Sequence, residues 1–141
     1  RRETWGEGCV ARAAKTAFER AGVKPSAVDV LEVHDAFTIG EILTLEALGI
    51  CAPGEGASLA PNGHTAIGGA QPVNPSGGLL ARGHPLGATG TAQLAEIVWQ
   101  LRGTAGERQK KRAELGLVET MGGGAAGMDG NASVVTLLAR S

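Results

Sequence analysis

Two hydrophobic periods alternate along the chain. Over residues 5–21, WGEGCVARAAKTAFERA, the apolar residues Val10, Ala14, Ala17, Phe18 and Ala21 recur at helical spacing. Arg12, Lys15, Glu19 and Arg20 occupy the remaining positions, so the stretch predicts an amphipathic helix capped by Gly22. VDVLEVHD (28–35) alternates branched and apolar residues and predicts a strand. AFTIGEILTLEALGI (36–50) returns to the helical period through Ile42, Leu45 and Leu48, with Gly49 near its end. Residues 52–69 form a long loop, a feature often used for function or partner contact. QPVN reads as a short strand, and NPSGGLLARGHPLGATG (74–90) as a glycine-rich loop running into a helix. That helix, TGTAQLAEIVWQLRG (89–103), is expected to bury Leu94, Ile97, Val98 and Leu101 and to stop at Gly103. TAGERQKKR reads as a solvated charged linker. AELGLVET (113–120) and NASVVTLLA (131–139) predict two antiparallel neighbouring strands joined by MGGGAAGMDG. The order predicts one α/β domain over residues 1–141, a mixed sheet with helices on its faces.

Composition narrows the functional classes. The chain has 141 residues, a hydrophobic fraction of 43% and a formal net charge of −1, which suits a packed core and argues against a nucleic-acid surface. No apolar run is long enough to suggest a membrane span, and no signal peptide is read at the start. The chain opens on RRETWGEG rather than Met, so it is expected to be a processed product or the back part of a longer polypeptide. Cys9 and Cys51 are too few for a disulfide scaffold, and a reducing cytoplasm fits them. Glycine reaches 23 residues and Tyr is absent, so packing must rest on small aliphatic side chains and close backbone approach.

Three polar loops follow strands: VHDAF (33–37), GHP (83–85) and TMGGG (120–124). Ligands of open α/β sheets gather beyond the carboxyl ends of strands, so these loops mark a candidate site. Asp35 reads as a cap of the following helix with His34 exposed beside it, or His34 reads as a site residue. His84 stands between Gly83 and Pro85, and the proline biases it towards extended backbone, so its ring is aimed. The triple glycine is either a plain turn or a row of open N–H groups suited to an oxyanion. A phosphate loop would need GK[ST], and the glycine spacing is not the dinucleotide pattern. His34, Asp35 and His84 lack metal-ligand spacing, and no metal is expected. His64 reads as exposed.

Together these motifs resemble the thiolase superfamily. NPSGGLLARGHPLGATG resembles its Asn-x-x-Gly-Gly…Gly-His-Pro-x-Gly signature. HDAF resembles its Asn-Glu-Ala-Phe motif, and VETMGGGAAGMDGNASVV its Cys-x-Gly-Gly-Gly loop with the last strand. The form HDAF and the end of the 89–103 helix look most like the sterol-carrier-protein-associated and archaeal-type branch. The resemblance implies the C-terminal half of an acyl-CoA acyltransferase performing Claisen condensation or thiolysis of a 3-oxoacyl-CoA. His84 would activate a nucleophilic Cys and bind the thioester oxygen. His34 would stand where the family's Asn holds an oxyanion-hole water. Asn74, Gly77 and Gly78 would shape the pocket floor, Gly83 and Pro85 would frame the substrate, and Gly122 and Gly123 would donate backbone N–H groups. Thr120 aligns with the family's second cysteine, whose acid/base role a threonine fills poorly; Glu119 would point to the opposite sheet face.

Neither Cys9 nor Cys51 has the context of the family nucleophile, and both read as small apolar fillers. The resemblance therefore implies an N-terminal thiolase half, in the same polypeptide or a separate subunit, without which this chain is inactive. It implies a coenzyme A thioester as substrate, no tightly bound cofactor, a homo-oligomer when complete, and a small OB-fold acyl-CoA-binding partner, with 52–69 as the contact. Two alternatives are a non-catalytic acyl-CoA-binding or assembly domain, and part of a retro-aldol lyase acting on a steroid side-chain acyl-CoA.

Overall fold

The computed structural model describes residues 7–122 and 132–141. A three-stranded mixed sheet lies between helices, as the periodicities predict. Helix α1 (Glu7–Ala21) leads into β1 (Val30–Glu32), α2 (Thr38–Ala47), and a single turn α3 (Gly56–Leu59) within the long loop. The short α4 (Gly78–Arg82) and α5 (Thr89–Arg102) follow, then β2 (Leu115–Gly122) and β3 (Ala132–Ala139). β1 pairs parallel with β2, and β2 pairs antiparallel with β3, Leu115 opposite Ala139 and Gly122 opposite Ala132. The expected QPVN strand is reduced to one parallel bridge, Val73 beside Leu31, on the free edge of β1.

The two sheet faces carry separate cores. Leu31, Val33 and Leu117 pack with Val10, Ala14 and Phe18 of α1 and Leu45 and Leu48 of α2. Val30 and Val118 pack on the other face with Ile97 and Leu101 of α5. Alternation along β1 and β2 divides them, because successive side chains leave opposite faces of a strand. Gly116 admits α5 closely: a Cβ there would strike Ile97 Cγ2.

Some expectations are corrected. The strand expected over 28–35 keeps only Val30–Glu32, because side chains take its later backbone donors. Val33 N–H donates to Asn74 Oδ1 at 2.7 Å and His34 N–H to Glu119 Oε2 at 3.1 Å, which ends the ladder. On α5, Ile97 and Leu101 are buried, whereas Leu94 and Trp99 are exposed and Val98 is half-buried. The stripe Thr89, Gln93, Glu96 and Gln100 turns inward instead. Its polar groups are satisfied in part by the segment read as a solvated linker. Arg108 pairs with Glu96 at 2.9 Å, and Gln100 Nε2 donates to the Arg108 carbonyl at 2.8 Å. Lys110 Nζ donates to the carbonyls of Gly69 and Ala70, tying this corner to the end of the long loop. His64 is half-buried rather than exposed, with Nε2 3.2 Å from Gln71 Oε1. Both cysteines are half-buried; Cys51 packs against the α1–α2 core, where burial first and then Glu46 and Glu55 raise its thiol pKa. No described helix is long and apolar enough to cross a membrane.

Candidate active site

The site grows from the end of β1. Asn74 holds an uncommon left-handed backbone, φ 49°, for a residue other than glycine. That conformation accompanies a double clamp: its N–H donates to the Leu31 carbonyl at 2.8 Å while Oδ1 takes the Val33 N–H. Asn74 therefore fixes the backbone immediately before His34. Glu119, fully buried on β2, fixes the next peptide through the His34 N–H and also accepts from Ser133 Oγ at 3.0 Å. Burial raises the Glu119 pKa, against the two hydrogen bonds it receives.

Asp35 is not the cap of α2 that the sequence suggests. The N-cap position of α2 is Phe37, with no side-chain cap, while Asp35 Oδ1 accepts the Leu79 N–H of α4 at 2.7 Å. Gly78 is required there, since a Cβ would collide with the Asp35 carboxylate and its φ is +61°. Gly77 and Gly83 bracket α4 with φ of +96° and +92°. So VHDAF is latched to the Gly-Gly segment, and α4 delivers Gly83 to His84.

The His34 and His84 rings meet edge to face, with centroids 4.9 Å apart. His84 is exposed and His34 half-buried. His84 Nδ1 lies 2.7 Å from Thr89 Oγ1. The Thr89 hydroxyl also reaches the Pro85 carbonyl at 3.1 Å; in the arrangement that gives its single proton to that carbonyl, Oγ1 accepts and His84 Nδ1 carries the hydrogen. Neutral His84 then has its lone pair on Nε2. Burial lowers the His34 pKa, the charge of His84 lowers it further, and Asp35 opposes both. His34 Nδ1 and Asn74 Nδ2 are buried without a hydrogen-bond partner among the described residues.

Thr120 lies on the α5 face of β2, opposite to Glu119. Its hydroxyl donates to Gln93 Oε1 at 2.8 Å, and Gln93 Nε2 donates to the Glu119 carbonyl at 3.2 Å. The hydroxyl proton is thus committed inward. Gly122 ends β2 exposed, and Gly123 lies outside the described residues. Among the described residues no group of three or more His, Cys, Asp or Glu could hold a metal ion. Thr89 and Gln93 were not singled out from the sequence. Polar residues at 89, 93, 96 and 100 on one side of α5 were the available signal.

A sheet between helices with glycine-framed loops and two opposed imidazoles defines an α/β domain with a site beyond its strand ends. The chain belongs to the family described as thiolase C-terminal domain-like, which matches residues 1–137. It is 56% identical over 111 residues to an acetyl-CoA acetyltransferase of Methanothermobacter thermautotrophicus, covering 79% of this chain and 29% of that one. It is 52% identical over 115 residues to Sterol carrier protein 2 of Oryctolagus cuniculus, covering 81% and 21% respectively. The solved structure of an Ltp2-ChsH2(DUF35) aldolase matches with a TM-score of 0.77 and 29% identity, over 93% of this chain and 32% of that one. The chain thus spans between a fifth and a third of the length of these relatives.

Proposed function

We propose that this chain is the C-terminal part of a thiolase-type acyl-CoA acyltransferase, acting with an N-terminal half that supplies the nucleophilic Cys. The observation that carries the reading is the His34–His84 pair with His84 Nδ1 tied to Thr89. That tie leaves Nε2 as a base. In the proposed step, Nε2 takes the cysteine thiol proton and the thiolate attacks the thioester carbonyl. The new S–C bond forms, the bond to the coenzyme A sulfur breaks, and the leaving sulfur takes the proton back from His84 Nε2. Neutral His34 donates a hydrogen bond to the developing oxyanion, as does the Gly122 N–H. Asn74, Gly77, Gly78, Gly83 and Pro85 hold this frame, and Thr120, whose proton serves Gln93, leaves the second proton transfer to another group.

A coenzyme A thioester is the substrate, with no tightly bound cofactor. The complete protein is a cytoplasmic homo-oligomer, and an OB-fold acyl-CoA-binding protein is its partner at 52–69. A retro-aldol lyase is the second reading, favoured by the likeness to the Ltp2-ChsH2(DUF35) aldolase and by a Thr120 that offers no free proton.

The test uses the complete protein, with acetoacetyl-CoA and coenzyme A, following acetyl-CoA. His84→Ala is expected to lower kcat by about 10²–10⁴-fold. An unchanged rate overturns the catalytic assignment. Absence of thiolysis together with cleavage of a 3-hydroxyacyl-CoA steroid side chain selects the lyase.

A further inference from the structure

Glu32 closes β1 on the face opposite to the α1–α2 core, and it is fully buried. Its carboxylate is bound at both oxygens by one residue. Oε1 accepts the Ser76 N–H at 3.0 Å and Oε2 the Ser76 hydroxyl at 2.8 Å. Ser76 Oγ in turn accepts the Gly78 N–H at 3.3 Å and the Arg82 Nε–H at 3.4 Å. Those two donors are the first and last residues of α4, and Arg82 stands two positions before His84. Arg82 Nη2 is buried without a partner among the described residues, so the Ser76 contact bears on where this guanidinium rests.

We propose that Glu32 is a positioning residue for His84, acting through Ser76 to hold both ends of α4 when its carboxyl is ionised. The inference rests on the reading of His84 as a site residue and adds the group that sets its place. Proton counting carries it. A serine hydroxyl has one proton and two lone pairs. With Glu32 ionised, the proton goes to Oε2 and the lone pairs serve Gly78 and Arg82. With Glu32 protonated on Oε2, that O–H donates to Ser76 Oγ and takes one lone pair. Gly78 and Arg82 then compete for the other, and the Ser76 proton has lost its acceptor. One end of α4 is released, and the Gly83–His84 step follows it.

The charged surroundings of Glu32 are Arg82 from α4, Glu96 from α5 and the Arg108 that pairs with Glu96. Its neighbour on β2 is Val118. Burial raises its pKa to about 7 against the Ser76 hydrogen bonds, with Glu96 adding and Arg82 opposing. The two hydrogen-bond patterns therefore exchange near neutrality.

The test is nuclear magnetic resonance on the complete protein, with labelled histidine and arginine. The ring-to-ring Overhauser effect between His34 and His84 at pH 8 is expected to fall at least threefold in Glu32→Gln. The Arg82 Nε–H resonance is expected to titrate near pH 7 in the wild type and to lose that inflection in the variant. A folded Glu32→Gln protein with an unchanged ring contact and an unchanged Arg82 titration overturns the proposal. Should Glu32→Gln fail to fold, Ser76→Ala removes only the relaying hydroxyl and decides by the same two signals. Turnover is not read, so the role of Glu32 is decided even in a protein without thiolase activity.

Discussion

At the scale of residues, the site depends on groups that serve the backbone rather than the substrate. Asp35 is the plainest case. Its carboxylate takes the Leu79 N–H, and Gly78 leaves room for that approach. Gly78→Ala adds a Cβ into the carboxylate at a left-handed φ, and the Asp35 latch must open or the backbone must shift. The expected loss is about 2–4 kcal/mol, read as a lower denaturation midpoint at constant slope. Gly83→Ala meets no neighbour, so it should cost only the φ strain, about 1–3 kcal/mol. Equal losses in the two variants would mean the Asp35 contact contributes nothing. His84 is legible in the sequence because glycine and proline around an imidazole leave few bland explanations, whereas His34 stands out only through the resemblance of HDAF to a family motif. Sequence reading misplaced Asp35, because a cap is local by default and the donor Asp35 serves lies 44 positions away. Glu32 was invisible for a related reason: an acid in an alternating strand reads as its solvent face, and only the Ser76 loop folded over it shows otherwise.

At the scale of elements, α5 shows where helical periodicity misleads. Leu94, Ile97, Val98 and Leu101 give a clear apolar stripe, yet the buried face is rotated towards Thr89, Gln93, Glu96 and Gln100. Each inward polar group has a fixed partner, which makes the burial tolerable. The apolar stripe was legible. The partners were not, because most come from the segments before and after the helix and from β2. Arg108 is the exposed half of the ion pair with Glu96, its side chain 42% accessible against 2% for Glu96. Arg108→Ala leaves the Glu96 carboxylate with Gln100 as its remaining partner. Solvent around the arginine discounts the full cost of breaking a buried pair, so the expected loss is about 1–2 kcal/mol. The double variant Arg108→Ala with Glu96→Gln should recover much of it, since no unpaired charge remains. A thermal-denaturation cycle over the four proteins measures this. Strict additivity of the two losses would mean that Arg108 stabilises the chain by some other contact.

At the scale of the whole molecule, the sheet carries one buried acid on each face, Glu32 towards α5 and Glu119 towards α1 and α2. Parallel pairing of β1 with β2 was not legible from local patterns, and the antiparallel β2–β3 pair was, because only the latter joins neighbours in sequence. Topology is what places the acids. β1 in parallel register brings Glu32 beside α5, and β2 brings Glu119 under the His34 peptide. Their common electrostatics give a global pH dependence. A carboxyl whose pKa is higher folded than unfolded binds its proton more tightly in the fold. For Glu32 that stabilisation is complete below about pH 4.5 and is lost as pH rises through about 7. The difference corresponds to about 3 kcal/mol. Glu119 contributes in the same sense, and His34 in the opposite one, because its lowered pKa removes stability as pH falls below its ordinary 6.5. The carboxyls outnumber the imidazole, so the melting temperature is expected to fall between pH 5 and pH 8. Glu32→Gln should flatten that slope more than Glu41→Gln, which removes an acid raised by burial on the rim of α2. A wild-type melting curve that is flat or rising over this interval would place both acids in a wetter environment than the fold gives them. The ionised state that locks α4 is then the less stable state of the molecule, so order around His84 and overall stability pull in opposite directions as pH rises through neutrality.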